Sequence, residues 1–520
     1  IVSRATGLAQ SIAVATVLGA TYLGNTYQAI NSIPNIVYYQ LLAGSLFASI
    51  LVPPLVSKRD AGDEAGCETL ARGFFGTLLL AAAALSLFLL LAAPLILRAF
   101  TLGVGDPATA VLQRRIGLVF FLLFVPQIVL YVTAGTGGAV MNAYGRFALA
   151  AGAPALENLG MISTLVACAV LFGTGTALAT VTTGQLLLLG LGTTASVGLH
   201  ATAQWLGARS VGIRLLPRAG WNDPDVRRAL RRVVPTLGYT GLAASQTVVV
   251  LAIANRLAGG LVGFQLALNF FFLPIAIVTW PIARSMLPHL SALAASGRDR
   301  DFWDELCRAV RLASFVVVPI ALAYIALSTP IARAIAIGAL QAEGGGHLVA
   351  VSLSALGIGV IGETWFILGT YAFYAREDAR SPLRSMLLRV VVTVAGMSTA
   401  MFVHHVLVLL VVGLSMSVGS VVGAVHLWAR LRATSGGGSV PVRSLIRTVI
   451  AASAMLVPSV LTAWSLSGWM GGHELGEVLV VIATAVVGAT TYLALQRAWR
   501  APEMALLRLG TGALPLRRIR

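Results

Sequence analysis

Charged side chains are scarce in this sequence of 520 residues. They make up 11% of the chain, whereas hydrophobic residues make up 58%, and the mean hydropathy is +0.88. In an ordinary soluble domain about a quarter of the residues are charged. A chain with so few charges cannot cover a water-facing surface, so lipid must be its main solvent. The composition therefore excludes a set of soluble domains and predicts a membrane protein.

Lysine and cysteine are also scarce. Lys58 is the single lysine, and Arg59 follows it, so the Lys-Ser/Thr pair of a phosphate-binding nucleotide loop is missing. The three cysteines, Cys67, Cys168 and Cys307, lie far apart, without the spacing of metal ligands. We therefore expect no ATPase or other enzymatic activity, no metal and no cofactor.

The net charge of +17 would indicate a nucleic-acid partner in a soluble protein. Here the arginines are concentrated in the gaps between apolar runs, where they orient helices and contact anionic headgroups. If the N-terminus is cytoplasmic, most arginines fall in connections on the cytoplasmic side, Arg376 and Arg389 among them. We expect anionic membrane lipids as partners, no nucleic acid, and both termini in the cytoplasm.

About fourteen apolar runs are long enough to cross roughly 30 Å of hydrocarbon. They lie at 5–24, 27–55, 73–97, 116–141, 149–172, 178–207, 233–255, 262–287, 309–338, 348–374, 385–403, 406–429, 444–466 and 475–496. The 54 glycines favour close packing of helices in lipid. The sequence thus predicts an all-α polytopic membrane protein with about 14 transmembrane helices.

Two polar interruptions divide these helices into groups of six, six and two. The longer one follows the sixth run, and the Gly-rich segment 435–439 precedes the last two. Val52-Pro53-Pro54 and Leu287-Pro288 close the second and eighth runs, which indicates two duplicated halves. The predicted parts are an N-lobe at 1–208, a cytoplasmic basic linker at 209–232, a C-lobe at 233–432, helices 13–14 at 433–498 and a basic cytoplasmic tail at 499–520.

Two glutamates lie inside apolar runs. Glu157 falls within 149–172 and Glu363 within 348–374. Ionisable groups at membrane depth are costly and seldom incidental. Each glutamate therefore has two interpretations: contact with a proton, a cation or a substrate during coupling, or structural pairing inside the protein. Arg284, near a helix end, reaches either the interface or a cavity.

Several short motifs resemble a known family. They are Ser3-Arg4-Ala-Thr-Gly7, Ile33-Pro34-Asn35, Met141-Asn-Ala-Tyr-Gly-Arg-Phe147, Phe373-Tyr-Ala-Arg376 and Ser381-Pro382. In this order, across helices 1 to 11, they are similar to the MurJ (MviN) family of lipid II flippases in the multidrug/oligosaccharidyl-lipid/polysaccharide exporter superfamily. The resemblance implies two six-helix lobes around a central cavity, a lipid-tail groove at helices 13 and 14, and a place in the bacterial cytoplasmic membrane.

The resemblance also implies a function. A polyprenyl-pyrophosphate-linked cell-wall precursor, lipid II or a related lipid-linked saccharide, would move from the inner to the outer leaflet by alternating access. Its anionic headgroup cannot cross hydrocarbon unaided. Each negative charge that moves outward gains about 2.3 kcal/mol per 100 mV of inside-negative potential. We expect the membrane potential or an ion gradient to drive this export.

The resemblance implies a substrate-binding cavity that departs from the family's pattern. The predicted cavity residues are Arg4, Gln10, Asn31, Asn35, Tyr38, Tyr39, Asn269 and Arg284, and the asparagines and tyrosines among them suit either sugar contacts or hydrogen bonds between helices. Gln10, Tyr38-Tyr39 and Asn269 stand where the family has basic residues, although a diphosphate is usually held by arginine. Three hypotheses follow: lipid II transport with a rewired cavity, transport of a different lipid-linked saccharide, or a partner or scaffold role among envelope-synthesis proteins. A fourth, drug/cation antiport on the same fold, predicts an acidic cavity around Glu157.

Overall fold

The computed structural model describes residues 2–224, 226–227, 234–434, 441–470 and 474–504. Within these ranges the chain forms helices and short connections, with no strand. Helices satisfy every backbone hydrogen bond inside one segment, as hydrocarbon requires. The predicted segments that lie partly or wholly outside the described residues include the linker at 225 and 228–232, the Gly-rich break at 435–439, and the tail at 505–520.

Eight α-helices form the first part of the chain. They are α1 (Val2–Leu18), α2 (Tyr22–Asn35), α3 (Val52–Asp60), α4 (Glu64–Thr101), α5 (Pro107–Phe124), α6 (Gln127–Ala143), α7 (Phe147–Phe172) and α8 (Thr183–Ser210). A π-helical segment, Ile36–Leu51, joins α2 to α3 without a break. It begins two residues after Pro34, which supplies no backbone N–H to an α-helical ladder.

Eleven more α-helices follow in the described ranges. They are α9 (Val234–Ala254), α10 (Gly260–Pro274), α11 (Trp280–Ala295), α12 (Asp299–Ala326), α13 (Ser328–Ile335), α14 (Ala339–Ala342), α15 (Gly345–Ala375), α16 (Arg380–Ser398), α17 (Leu407–Thr434), α18 (Val442–Met470) and α19 (Glu474–Ala498). A second π-helical segment, Ile275–Thr279, joins α10 to α11 directly after Pro274. The helix–π–helix pattern of the second predicted span thus recurs in the eighth, which supports the duplication.

Eleven helices of the described chain are long and apolar enough to cross a membrane. This confirms the all-α polytopic membrane fold. All fourteen predicted runs contain helix, but α1 has only 17 residues and the second run is divided by its π-helical segment. The described part of α9 that is apolar, Gly238–Ala254, is also short. The count of fourteen spans therefore stays a prediction.

The chain forms two compact units. The first unit comprises Ile1–Leu266, Ala336–Leu348 and Met397–Leu409, and the second comprises Ala267–Ile335, Val349–Gly396 and Leu410–Arg520. These units follow spatial contacts, so each collects pieces from separate parts of the sequence. The predicted lobes, linker and tail are defined along the chain, and their boundaries stay predictions.

In the first unit, a sharp turn between α1 and α2 packs against the short helix α14. Gly19 has φ +66°, and a Cβ there would lie 2.9 Å from Ala339 Cβ. Glycine is therefore required twice, by its backbone conformation and by the close approach. Thr21 then caps α2, since its hydroxyl accepts from Gly24 N at 3.0 Å. These contacts fix the C-terminal end of α1, and with it the position of the whole helix against α7.

In the second unit, the last two helices pack against α12. Phe315 and Val318 of α12 form one core with Ala451 and Met455 of α18 and Tyr492 of α19. The Tyr492 hydroxyl donates to the Phe315 carbonyl at 2.7 Å, so a polar contact lies within this apolar core. The predicted final helix pair is therefore fixed along one face of the second unit.

Candidate functional site

A buried polar cluster lies in the first unit, where α2, α6, α7 and α8 meet. At its centre the Tyr131 hydroxyl is 2.7 Å from Asn35 Oδ1 and 2.7 Å from Glu157 Oε1. The other carboxyl oxygen of Glu157 is 2.8 Å from His200 Nδ1. Tyr131, Glu157 and His200 are buried. We call Asn35, Tyr38, Tyr131, Glu157 and His200 the Tyr131 cluster.

The Tyr131 cluster lies near the middle of its helices. Glu157 is about ten residues into α7 and His200 about ten residues from the end of α8, so each lies about 15 Å from a helix end. The Ser3–Thr6 part of α1 lies at this level, since Asn158 Nδ2 donates to Ser3 O at 3.2 Å and to Thr6 Oγ1 at 3.0 Å. Half of a 30 Å hydrocarbon layer is also about 15 Å. The cluster and Arg4 therefore share the depth at which transporters hold substrates and ions.

Aromatic rings extend the Tyr131 cluster toward an exposed face. The rings of Tyr38 and Tyr131 stack with centroids 4.4 Å apart and planes 7° from parallel. Tyr39 meets Tyr131 edge-on at 6.0 Å. Tyr38 is 7% exposed, whereas Tyr39 is 48% exposed. Arg4 is exposed as well and acts electrostatically on Tyr39. Arg4 and Tyr39 therefore form the accessible edge of the cluster.

The structure brings together most of the predicted site residues of the first unit. Asn31 is buried, and its carbonyl accepts from Asn35 Nδ2 at 2.9 Å. Gln10 is half-buried on α1. In the second unit, Asn269 is half-buried on α10 and Arg284 is exposed on α11. A role of these residues in substrate binding stays a prediction.

Glu363 has a different environment in the second unit. Arg389 Nη1 lies 2.6 Å from Glu363 Oε2, and Ser420 Oγ donates to the same oxygen at 3.1 Å. The Phe366 ring lies 5.4 Å from the guanidinium carbon of Arg389. Glu363 is thus paired inside the protein, and a coupling role of this residue stays a prediction. The placement of Arg389 in a cytoplasmic connection was wrong, because it is buried within α16, where only a partnered arginine is stable.

Two central residues of the cluster were missed in the sequence. His200 is a lone histidine within the apolar run 178–207, and that isolation is a signal that could have identified it. Tyr131 gives no comparable signal, because tyrosine is common in membrane helices and interfaces. Both join Glu157 only through helix packing.

The described geometry can be set beside known proteins. The sequence profile of the family described as lipid II flippase MurJ matches residues 14–484. A probable lipid II flippase MurJ of Rhizobium tropici is 27% identical over 397 residues, which cover 76% of this chain and 72% of that protein. The family match spans both units, so it concerns the whole transporter fold rather than one half.

Solved structures show the same fold. A lipid II flippase MurJ in an inward closed conformation matches with a TM-score of 0.75 and 16% identity, covering 97% of this chain and 98% of that one. An inward-facing multidrug resistance MATE family transporter of the MOP superfamily matches with a TM-score of 0.67 and 15% identity, covering 84% of this chain and 95% of that one. The fold is therefore that of this superfamily, and the profile match is specific within it. The chain belongs to the lipid II flippase MurJ family.

Proposed function

We propose that this protein moves the pyrophosphate-linked headgroup of lipid II from the inner to the outer leaflet by alternating access, with its accessible edge at Arg4 and Tyr39 as part of the headgroup site. The observation that carries this assignment is the position of a cationic side chain beside a polar aromatic surface at mid-depth. Family membership supplies the substrate class.

The two exposed residues suit the two parts of such a headgroup. Arginine binds diphosphate oxygens through charge-assisted, often bidentate hydrogen bonds. The ring and hydroxyl of Tyr39 offer an apolar face and a polar tip, as sugars require. Gln10, Tyr38 and Asn269 supply no cation at positions where the resemblance implies one. We therefore expect weaker binding of the diphosphate than in relatives that carry the full basic set.

A source of energy is available without nucleotide hydrolysis. Outward movement of each negative charge across an inside-negative membrane is favourable by about 2.3 kcal/mol per 100 mV. A diphosphate headgroup carries more than one such charge. Membrane potential is therefore sufficient to bias the cycle outward in a cytoplasmic membrane where both termini lie inside.

Anionic membrane lipids are the second class of partner that we propose. The second unit has a cavity of about 420 Å³ lined by Arg311, Arg443 and Arg447, close to the start of the predicted tail. Arg447 is paired with Glu503 at 2.5 Å, so the lining retains a net positive charge. Arginines at the end of spanning helices attract anionic headgroups. Association with envelope-synthesis proteins stays a hypothesis.

Drug/cation antiport is the second candidate function, because Glu157 is a carboxyl group at depth on a fold shared with MATE transporters. Two observations weigh against it. Both carboxyl oxygens of Glu157 already contact Tyr131 and His200, so neither is free to contact a cationic drug directly. The MATE structure also leaves more of this chain unmatched than the MurJ structure does.

Depletion of the protein in its native bacterium, followed by measurement of lipid II exposed on the outer face, tests the proposal. Complementation with Arg4→Ala should lower export roughly tenfold to a hundredfold, because a hydrogen bond to a charged group contributes about 1.5–3 kcal/mol. Arg4→Lys should restore part of the loss. The matched control is Arg298→Ala, which removes an exposed arginine paired with Asp301 and should change nothing.

The other outcomes separate the remaining hypotheses. Unchanged lipid II export on depletion would transfer the proposal to another polyprenyl-linked saccharide. A depletion defect that Arg4→Ala fully complements would favour a scaffold role over transport.

A further inference from the structure

The Tyr131 cluster contains more acceptor atoms than its visible donors can satisfy. A tyrosine hydroxyl carries one proton. The Tyr131 hydroxyl nevertheless lies 2.7 Å from two oxygens, Asn35 Oδ1 and Glu157 Oε1. Two oxygens at this distance without a hydrogen between them repel each other. One of the two contacts therefore needs a proton from the other side.

The hydrogen bond between Asn35 and Asn31 shows which residue supplies this proton to Tyr131. Asn35 Nδ2 donates to the Asn31 carbonyl at 2.9 Å, so Oδ1 must be the atom that faces Tyr131. Rotating the amide would place Oδ1 against the Asn31 carbonyl oxygen. Asn35 therefore has no proton to give to Tyr131. The Tyr131 hydroxyl donates to Asn35, and Glu157 must donate to Tyr131.

His200 completes the assignment. Its Nδ1 lies 2.8 Å from Glu157 Oε2, and its Nε2 is buried without a hydrogen-bond partner. A doubly protonated imidazole would leave a buried N–H donor and a positive charge without a partner, which costs more than an unused lone pair. The favoured form is the neutral ring that donates from Nδ1 to Glu157. Every hydrogen bond in the series His200, Glu157, Tyr131, Asn35 and Asn31 then has one donor and one acceptor.

We propose that Glu157 and His200 form a mid-membrane proton-binding site, and that the present conformation is its loaded state, with the proton on Glu157 Oε1. This site deepens the proposed function. The coupling of the proton to the substrate rests on that function, whereas the proton site itself rests on the geometry of the cluster. The ligand is a single proton, exchanged with water on the exposed side of Tyr39.

Release of the proton changes the hydrogen bonds in a defined way. The O–H bond of Glu157 breaks and the proton leaves to water. The resulting carboxylate is then held by His200 Nδ1–H and by the Tyr131 hydroxyl, which turns toward it. Asn35 Oδ1 loses its donor. Proton release therefore removes the hydrogen bond between α6 and Asn35 at the end of α2, while the charge of the site falls by one unit.

The surroundings set the direction of coupling to an anion. The titratable groups that face Glu157 are Tyr38 and Tyr39 in the π-helical segment, Tyr131 on α6 and His200 on α8, and Arg4 on α1 acts in turn on Tyr39. A loaded site is one charge more positive than an empty one, so it favours an anionic diphosphate nearby. By linkage, the anion then favours proton binding to the same extent.

Infrared spectroscopy of the full-length protein in lipid nanodiscs tests the loaded site directly. At neutral pH we expect the C=O stretch of a protonated carboxylic acid, which should disappear on alkalinisation. Glu157→Gln should abolish this band. Glu363→Gln is the matched control and should retain it, because Glu363 is paired with the Arg389 guanidinium and lies outside the Tyr131 cluster. A band that survives Glu157→Gln, or its absence from the wild-type protein, overturns the proposal.

Two further variants keep this test decisive. Burial raises the pKa of Glu343 in the turn before α15, so Glu343→Gln must leave the band in place. Tyr131→Phe removes the acceptor of the Glu157 proton and should shift the band, which gives a result even if Glu157→Gln fails to fold. An unshifted band in Tyr131→Phe contradicts the assigned contact.

Reconstituted lipid II transport across a pH series tests the link to the substrate. The wild-type rate should fall by up to about tenfold per pH unit on the alkaline side, as expected for one linked proton. The rate of Glu157→Gln, a permanently neutral site, should not vary with pH. A wild-type rate independent of pH would overturn the link. No lipid II transport at any pH would overturn the proposed function, while the infrared result would still decide the proton site.

Discussion

The two units each bury one glutamate among membrane helices, and the two residues have opposite environments. Glu363 meets the Arg389 guanidinium at 2.6 Å. Glu157 meets a tyrosine hydroxyl and an imidazole at 2.7 and 2.8 Å. The first partner is always charged, whereas the other two are hydrogen-bonding groups that can exchange donor and acceptor roles. The same residue type at similar depth therefore serves as a fixed ion pair in one unit and as an exchangeable proton carrier in the other.

This difference shows that depth alone does not assign a role to an intramembrane carboxyl group. An arginine partner holds the carboxylate permanently ionised and ties two helices together. A set of neutral donors and acceptors can rearrange when one proton leaves, at little cost in hydrogen bonds. The partner, rather than the glutamate, determines whether the group is structural or responsive.

The largest expected effect comes from breaking the ion pair of the second unit. Arg389→Met leaves the Glu363 charge buried with only the Ser420 hydroxyl as a partner. Loss of one member of a buried pair costs about 3–5 kcal/mol. Unfolding of Arg389→Met in a mixed detergent series should measure this loss of stability. The double variant Arg389→Met/Glu363→Met should regain most of the stability, and a single variant as stable as the wild type would contradict the fixed-pair assignment.

A smaller loss is expected at the centre of the Tyr131 cluster. Tyr131→Phe leaves Asn35 and Glu157 without a shared partner, and buried unsatisfied groups cost about 1–3 kcal/mol. Tyr27→Phe is a matched control, since the buried Tyr27 hydroxyl has one side-chain contact, to Thr193 at 2.7 Å. The same unfolding assay should show a greater loss for Tyr131→Phe. Equal losses would mean that the cluster is not a connected network.

The smallest effect separates the two glutamates most sharply. Glu157→Gln should cost under about 1 kcal/mol, because the amide can donate to Tyr131 and accept from His200 as the protonated acid does. Glu363→Gln should cost more, because it leaves the buried Arg389 charge without its counter-ion. The same unfolding assay should show which of the two variants is the more stable. A Glu157→Gln variant that is the less stable of the two would indicate that Glu157 is ionised.

Much of the fold could be predicted from the sequence because lipid imposes simple rules. Apolar runs of sufficient length must be helices, and helix occurs in all fourteen predicted runs. The same rule identified Glu157 and Glu363 as the carboxyl groups at depth, and short motifs identified the family. These features depend on local composition, which a single sequence contains in full.

The partners of the two glutamates could not be predicted. Tyr131 and His200 are 26 and 43 residues from Glu157 and reach it only because α6, α7 and α8 pack together. Arg389 follows Arg380 and Arg384 closely, so it looked like part of a basic connection, although α16 carries it into the protein interior. Contacts across helices depend on their rotation and register, which composition does not specify.

The π-helical segment Ile36–Leu51 gives the first unit a place where the helix can change its winding. Its hydrogen bonds run from residue i to i+5, one residue more per closed ring than in an α-helix. Converting a turn from one winding to the other keeps every backbone group paired, which is the condition for moving a chain inside hydrocarbon. Such a conversion rotates the following helix about its axis and shifts it along that axis. Tyr38 and Tyr39 lie in the first turn of this segment, so a change of a single turn from π to α would change the direction in which both rings point.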